Sequence, residues 1–125
     1  MSGYFHLFVY GTLRRGGEAA AALEGAVRLA PATVAGGLYH TDDGYPALML
    51  AGAGKVHGEV WRCPAPLLAR LDEHEGVADG LFRRVGVQVR DWPCWTYVAG
   101  PRLARLLTPD RRIASGVWPV GATGG

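Results

Sequence analysis

Two stretches of this chain hold groups able to do chemistry: Tyr10-Gly11-Thr12-Leu13 and, some sixty residues later, Leu71-Asp72-Glu73-His74-Glu75-Gly76. In the first, an apolar run (Phe5, Leu7, Phe8, Val9) stops at a glycine. Glycine lets the backbone turn sharply and approach a neighbour with no Cβ in the way. The alanine-rich segment behind it, Gly17 to Glu24, has a helix-forming composition. A strand that ends at such a turn ahead of a helix leaves several backbone N–H groups unpaired and pointing one way, which suits a carboxylate or an oxyanion. A core strand closing in an ordinary turn fits the same residues.

The second stretch offers a titratable group. Pro64-Ala65-Pro66 opens a helix, with proline tolerated in the first turn, and Leu67, Leu68 and Leu71 mark its apolar face. Glu75 stands four residues after Leu71, seven after Leu68 and eight after Leu67, on the same stripe if the helix persists, whereas Glu73 is off it. Burial disfavours the charged form of a carboxyl group and raises its pKa toward neutrality. In that state one group can take a proton and later return it. A glutamate on a frayed helix end, facing solvent, satisfies the spacing equally well.

Other residues offer less. Glu59 lies mid-strand in Lys55–Arg62, either lining a site or facing solvent beside Trp61. Cys63 and Cys94 lack C-x-x-C spacing and read as two buried thiols on adjacent strands, not as a disulfide. The four histidines (His6, His40, His57, His74) have no ligand spacing, so no metal is expected. No Ser-His-Asp or Cys-His set sits at a recognisable motif. The net charge is +2, from 13 basic and 11 acidic side chains, and the arginine pairs (14–15, 83–84, 111–112) are scattered along the chain. That distribution argues against a nucleic-acid partner, which would need a concentrated basic face. An arginine near the site would suit an acidic substrate.

These residues need a scaffold. A chain of 125 residues, 49% hydrophobic and 19% charged, is expected to form one globular domain over 1–125, ending in a flexible Gly-rich tail at 119–125. No apolar run approaches the roughly 18 residues of a membrane span. Met1-Ser2-Gly3 leads directly into the first strand, so a cytoplasmic location is expected. Nineteen glycines and eight prolines break the chain into short pieces, favouring strands and turns over long helices. Strands are expected before Gly11, over Val27–Val34 (interrupted by Pro31), at Leu38–His40, in Tyr45–Leu50 and over Lys55–Arg62. A hairpin follows: Leu81–Arg90 alternates, Asp91-Trp92-Pro93 turns, and Cys94–Ala99 returns. Helices are expected at Glu18–Glu24 and from Pro64 toward Glu75, with a helical turn in Arg102–Leu107 and a final loop that pins Trp118 on the body.

Read together, these words resemble the gamma-glutamylcyclotransferase-like family. Tyr10-Gly11-Thr12-Leu13 is similar to its substrate-binding turn, and Leu71-Asp72-Glu73-His74-Glu75-Gly76 to the Leu-Asp-x-x-Glu-Gly stretch whose glutamate is catalytic, which falls on Glu75. Tyr45-Pro46-Ala47, Val56-His57-Gly58-Glu59-Val60-Trp61 and Phe82-Arg83-Arg84-Val85 resemble further segments in the right order, from Phe8 to about Trp118. Two departures stand out: Phe82 replaces a usual tyrosine, and Gly116-Val117-Trp118 lacks the acid of a Gly-Asp-Trp pattern.

The resemblance implies an α+β domain, a small mixed barrel-like sheet of five to seven strands with two short helices packed against it. It implies a cyclotransferase that closes a gamma-glutamyl amine or amide to 5-oxoproline without metal or cofactor. Glu75 would move the protons, the Gly11, Thr12 and Leu13 amides would hold the α-carboxylate or the oxyanion, and Tyr10 and Phe82 would line the pocket. Leaving groups in the family range from glutathione-related peptides to gamma-glutamylamines and a tailored acyl group, and loops such as Thr41–Gly44 and Val77–Phe82 would form the discriminating wall. The alternative is a catalytically silent domain of the same fold that binds an acidic metabolite or peptide. A homodimer is left open.

Overall fold

The structure, a computed structural model, describes residues 3–11 and 23–118. Strands β1 (Tyr4–Val9), β2 (Val27–Ala35), β5 (Lys55–Pro64), β6 (Phe82–Val89) and β7 (Trp92–Ala99) form one sheet in the order β2-β5-β1-β7-β6. The β1–β7 pair is parallel and the others are antiparallel, so the sheet is mixed. A separate hairpin joins β3 (Gly37–His40) to β4 (Pro46–Met49). Helix α1 spans Leu67–His74 and the short α2 spans Pro101–Ala104, where the sequence predicts a helical turn. The expected α+β class, mixed strands and two short helices are present, but of the predicted Glu18–Glu24 helix residues 18–22 lie outside the described residues, as does the 119–125 tail. Among the described residues no helix is long and apolar enough to cross a membrane.

β1 is the central strand because its residues are wanted on both sides. Leu7 and Val9 pack with Leu67, Leu71, Phe82, Tyr97 and Leu103 on the helical face. Phe8 and Tyr10 point the other way, into a second core with Leu38, Leu48, Val56, Val60 and Val98. A strand covered on both faces reads as a continuous apolar run, and Leu7-Phe8-Val9 is one. The β3–β4 hairpin caps the seam, sending Ala47 to the first core and Leu48 to the second. Trp118 packs against the second core, and the Gly116 carbonyl accepts from His57 N–H at 2.8 Å, so the final loop is pinned as expected.

Three expectations need correction. The sheet is not a closed barrel: its edges β2 and β6 approach each other without a ladder. Instead the Arg90 guanidinium donates to the Pro31 carbonyl at 2.7 Å. The N–H and C=O of a strand residue point to the same side, so the donor that Pro31 lacks would have faced this open edge. Proline is tolerated there, and β2 runs through it uninterrupted. Second, the β6–β7 turn is Arg90-Asp91, not Asp91–Pro93; Arg90 adopts φ 52°, and Pro93 lies in β7 opposite Gln88. Pairing with β1 begins only at Cys94, so the missing Pro93 N–H breaks no ladder. Third, Cys63 and Cys94 are free and buried but not on adjacent strands, because β1 runs between β5 and β7.

Candidate active site

A cavity of about 350 Å³ opens where the C-terminal end of β1 meets the C-terminal end of α1. Phe8, Val9, Tyr10 and Gly11 form one wall, His74 and Glu75 another, Leu81, Phe82 and Tyr97 a third, and Asp43, Gly44, Tyr45 and Pro46 the rim.

Gly11 is dictated by close approach. A Cβ built on it would fall 2.6 Å from Pro46 Cγ, so any other residue would push the β3–β4 hairpin off the end of β1. The rim is held by its own turn: the Thr41 hydroxyl donates to the Tyr45 carbonyl at 2.8 Å and accepts from Asp43 N–H at 3.3 Å.

Glu75 lies one residue past the helix, as its C-cap, yet its N–H still donates to the Leu71 carbonyl at 2.9 Å. The helical spacing therefore carries to residue 75 and points the side chain along the Leu67–Leu71 stripe. Gly76, at φ 65°, then turns the chain in the left-handed region where glycine is favoured. Burial pushes the Glu75 carboxyl up to about 7. The ion pairs among the described residues are Arg28–Glu59, Arg84–Asp72 and Arg111–Asp42, and none includes Glu75. An enclosed acid raised toward neutrality, with no ion-pair partner among the described residues, is suited to both accepting and donating a proton.

Three tyrosines respond to it. Burial, with the Glu75 carboxylate as a second cause, raises the Tyr10 phenol above its ordinary value. Tyr97 is raised by burial, then by its bond to Asp72 and the Asp72 and Glu75 charges, with Arg84 opposing. Tyr45 rises by burial first and through Asp43, with Glu75 the smallest contribution. All three stay protonated near neutral pH, and each directs its single O–H to a protein acceptor.

The hydroxyls are partly committed. Tyr10 Oη donates to the Tyr97 carbonyl and accepts from Leu48 N–H at 3.3 Å, tying β1 to β7 and β4. Tyr10 thus lines the cavity with its hydroxyl engaged by backbone. Phe82 is buried, its ring 5.8 Å from that of Tyr45.

Of the residues singled out from sequence, Tyr10, Gly11, Glu75 and Phe82 meet at this cavity, while Thr12 and Leu13 lie outside the described residues. Glu59 is not in the lining; it faces Arg28, 3.1 Å from Nε, and accepts from Trp61 Nε1 at 3.0 Å. Sequence reasoning missed Tyr97 and His74. Tyr97 carried one faint signal, a polar-tipped aromatic beside Thr96 in a largely apolar strand. Among the described residues no group of three or more His, Cys, Asp or Glu side chains stands close enough to hold a metal ion.

The sequence model of the family described as Gamma-glutamyl cyclotransferase, AIG2-like, matches residues 7–120. A gamma-L-glutamyl-butirosin B gamma-glutamyl cyclotransferase from Niallia circulans is 38% identical over 103 residues, covering 74% of this chain and 65% of the relative. The chain thus spans just under two thirds of that relative's length. An uncharacterised Pyrococcus horikoshii protein superposes with a TM-score of 0.74 at 28% identity, over 90% of this chain and 88% of its own. The Escherichia coli protein YtfP does so with a TM-score of 0.71 at 31% identity, over 91% and 96%. The site words lie inside the matched span, on a fold shared with both solved structures, and the chain belongs to the gamma-glutamyl cyclotransferase, AIG2-like family.

Proposed function

We propose that this protein is a cyclotransferase that converts a gamma-glutamyl amine or amide to 5-oxoproline and the free amine, with Glu75 carrying the protons. The observation behind this reading is that a desolvated carboxyl group, raised to about 7, shares one cavity with the glycine turn that ends β1. The activity named for the Niallia circulans relative is of the same kind.

The substrate brings its own nucleophile. Its α-amino nitrogen attacks the side-chain carbonyl carbon, closing a five-membered ring, and the intramolecular geometry replaces an enzyme nucleophile. The α-ammonium gives up two protons in becoming the ring N–H, and the leaving nitrogen gains two in departing as an ammonium. Solvent takes the first proton of the α-ammonium, freeing the lone pair, and returns one to the departed amine. The Glu75 carboxylate takes the second from the attacking nitrogen as the C–N bond forms. Its acid form then protonates the leaving nitrogen as the old C–N bond breaks. N–H groups of the turn from Gly11, with those of Thr12 and Leu13, hold the α-carboxylate or the tetrahedral oxyanion. Tyr10 and Phe82 shape the apolar wall. No cofactor enters this scheme.

The test is to incubate the protein with a panel of gamma-glutamyl amines and dipeptides and measure 5-oxoproline. Release is expected from wild type and is expected to be lost in a folded Glu75→Gln variant. Undiminished release in that variant would remove the mechanism. Binding without turnover across the panel would favour the silent-domain alternative.

A further inference from the structure

Helix α1 is anchored by Leu67 and Leu71, its buried residues, and Leu71 opens the turn that carries Glu75. Beside the apolar contacts of Leu71, Val77 and Leu81, a polar tie joins that last turn to the sheet. Asp72, three residues before Glu75, reaches β6 and β7: Oδ1 accepts from Arg84 Nε at 2.9 Å and from the Tyr97 hydroxyl at 2.7 Å, and Oδ2 accepts from Arg84 Nη2 at 3.2 Å. Arg84 and Tyr97 are directly opposite each other across the two strands, so one carboxylate grips a cross-strand pair. The guanidinium also stacks over the Trp95 ring, 4.3 Å from its centroid. Tyr97 is held a second time, through its carbonyl, by Tyr10, and its ring forms a cavity wall.

We propose that Asp72 is a positioning residue for the reaction: by clamping Arg84 and Tyr97 it sets how deeply the end of α1 carries Glu75 into the cavity. The proposal rests on the reading of Glu75 as the proton carrier. A bidentate fork to arginine plus a short phenol bond defines both direction and distance, which a lone apolar contact does not. Loosening the clamp lets the helix end draw back and water reach the carboxyl group. Among the described residues, the titratable and charged groups around Glu75 are His74 beside it, Tyr10 from the end of β1, Tyr45 and Asp43 from the rim, and Tyr97 backed by Asp72 and Arg84.

The experiment is a carbon-13 NMR titration of the Glu75 carboxyl in wild type, Asp72→Asn and Tyr97→Phe, run beside pH profiles of kcat and KM. Tyr97→Phe changes no formal charge and keeps the ring, so a shift there reports position. In wild type the carboxyl is expected to titrate near 7. In both variants the midpoint is expected to fall by about one unit or more, with kcat down about 10- to 100-fold and KM within about threefold. A folded Tyr97→Phe protein whose midpoint stays in place would overturn the proposal, and it decides the matter even if Asp72→Asn does not fold. The titration needs no substrate, so a wild-type protein that turns nothing over refutes the cyclotransferase reading while the clamp is still judged by the midpoint.

Discussion

Two glutamates on the helical side of β1 show how surroundings divide one side chain between structure and chemistry. Glu59 on β5 stands directly across from Val9, a residue of the cavity wall, yet it is tied to Arg28 at 3.1 Å and to the Trp61 indole at 3.0 Å. That carboxylate faces a cation and accepts from an N–H donor, so it is fixed to its own strand and to β2. Glu75, on the opposite wall, meets phenols and apolar rings, and burial raises it to about 7. Partners make the first a strut. Enclosure with no ion-pair partner among the described residues suits the second to the proton-carrying role proposed for it.

The contrast can be broken by moving each carboxylate without removing it. Glu75→Asp keeps the acid but withdraws it by one methylene; if reach into the cavity matters as argued, 5-oxoproline release should fall by about 10²-fold. The same exchange at Glu59 should change release by less than about threefold. Equal losses at the two sites would dissolve the distinction.

A second effect is on stability and has a definite sign. Glu75 in the folded protein binds its proton more tightly than in the unfolded chain, with a value near 7 against an ordinary 4.5. Below 4.5 both states are protonated and the group contributes nothing. Between 4.5 and 7 the unfolded chain releases the proton first, so this site lowers stability as pH rises, and above 7 the whole cost is present. Glu75→Gln should therefore stabilise the fold at pH 8 relative to pH 4 by on the order of 3 kcal/mol, read from denaturant titrations at the two pH values. A pH-independent difference would mean the carboxyl is not desolvated. The same titration makes release in wild type climb with pH through about 7, since the base form starts the reaction.

How much of this was legible beforehand follows the range of the interactions. Glu75 was visible because its placement depends on a four-residue spacing from Leu71, and the backbone keeps that spacing one residue past the helix end. Gly11 was visible as a turn, but not that Pro46 is the group pressing on it. Tyr97 and its bond to Asp72 were invisible, because they need β7 beside β1 and α1 docked over both strands, and no local pattern encodes either. The separation of the cysteines is hidden for the same reason: a parallel β1–β7 pairing inserts the first strand between two late ones. Pro93 carries the local mark of a turn, yet its missing N–H falls just before the ladder to β1 begins, so it fits within β7. The barrel-like expectation came from resemblance, and Pro31 with Arg90 marks where the edges stop short of a ladder.

The smallest effect sharpens the comparison from the other side. Glu59→Gln keeps an oxygen to accept from Trp61 but removes the charge facing Arg28, whose side chain is 30% exposed against 13% for Glu59. Solvent at the arginine screens the pair, so the loss should be modest, about 0.5–1 kcal/mol, and smaller at high salt. The midpoint of the acid limb for 5-oxoproline release should stay where wild type has it, because Glu59 is outside the cavity lining. If the midpoint moves with this substitution, the two acids are electrically one site, and proton transfer has to be shared between them rather than assigned to Glu75.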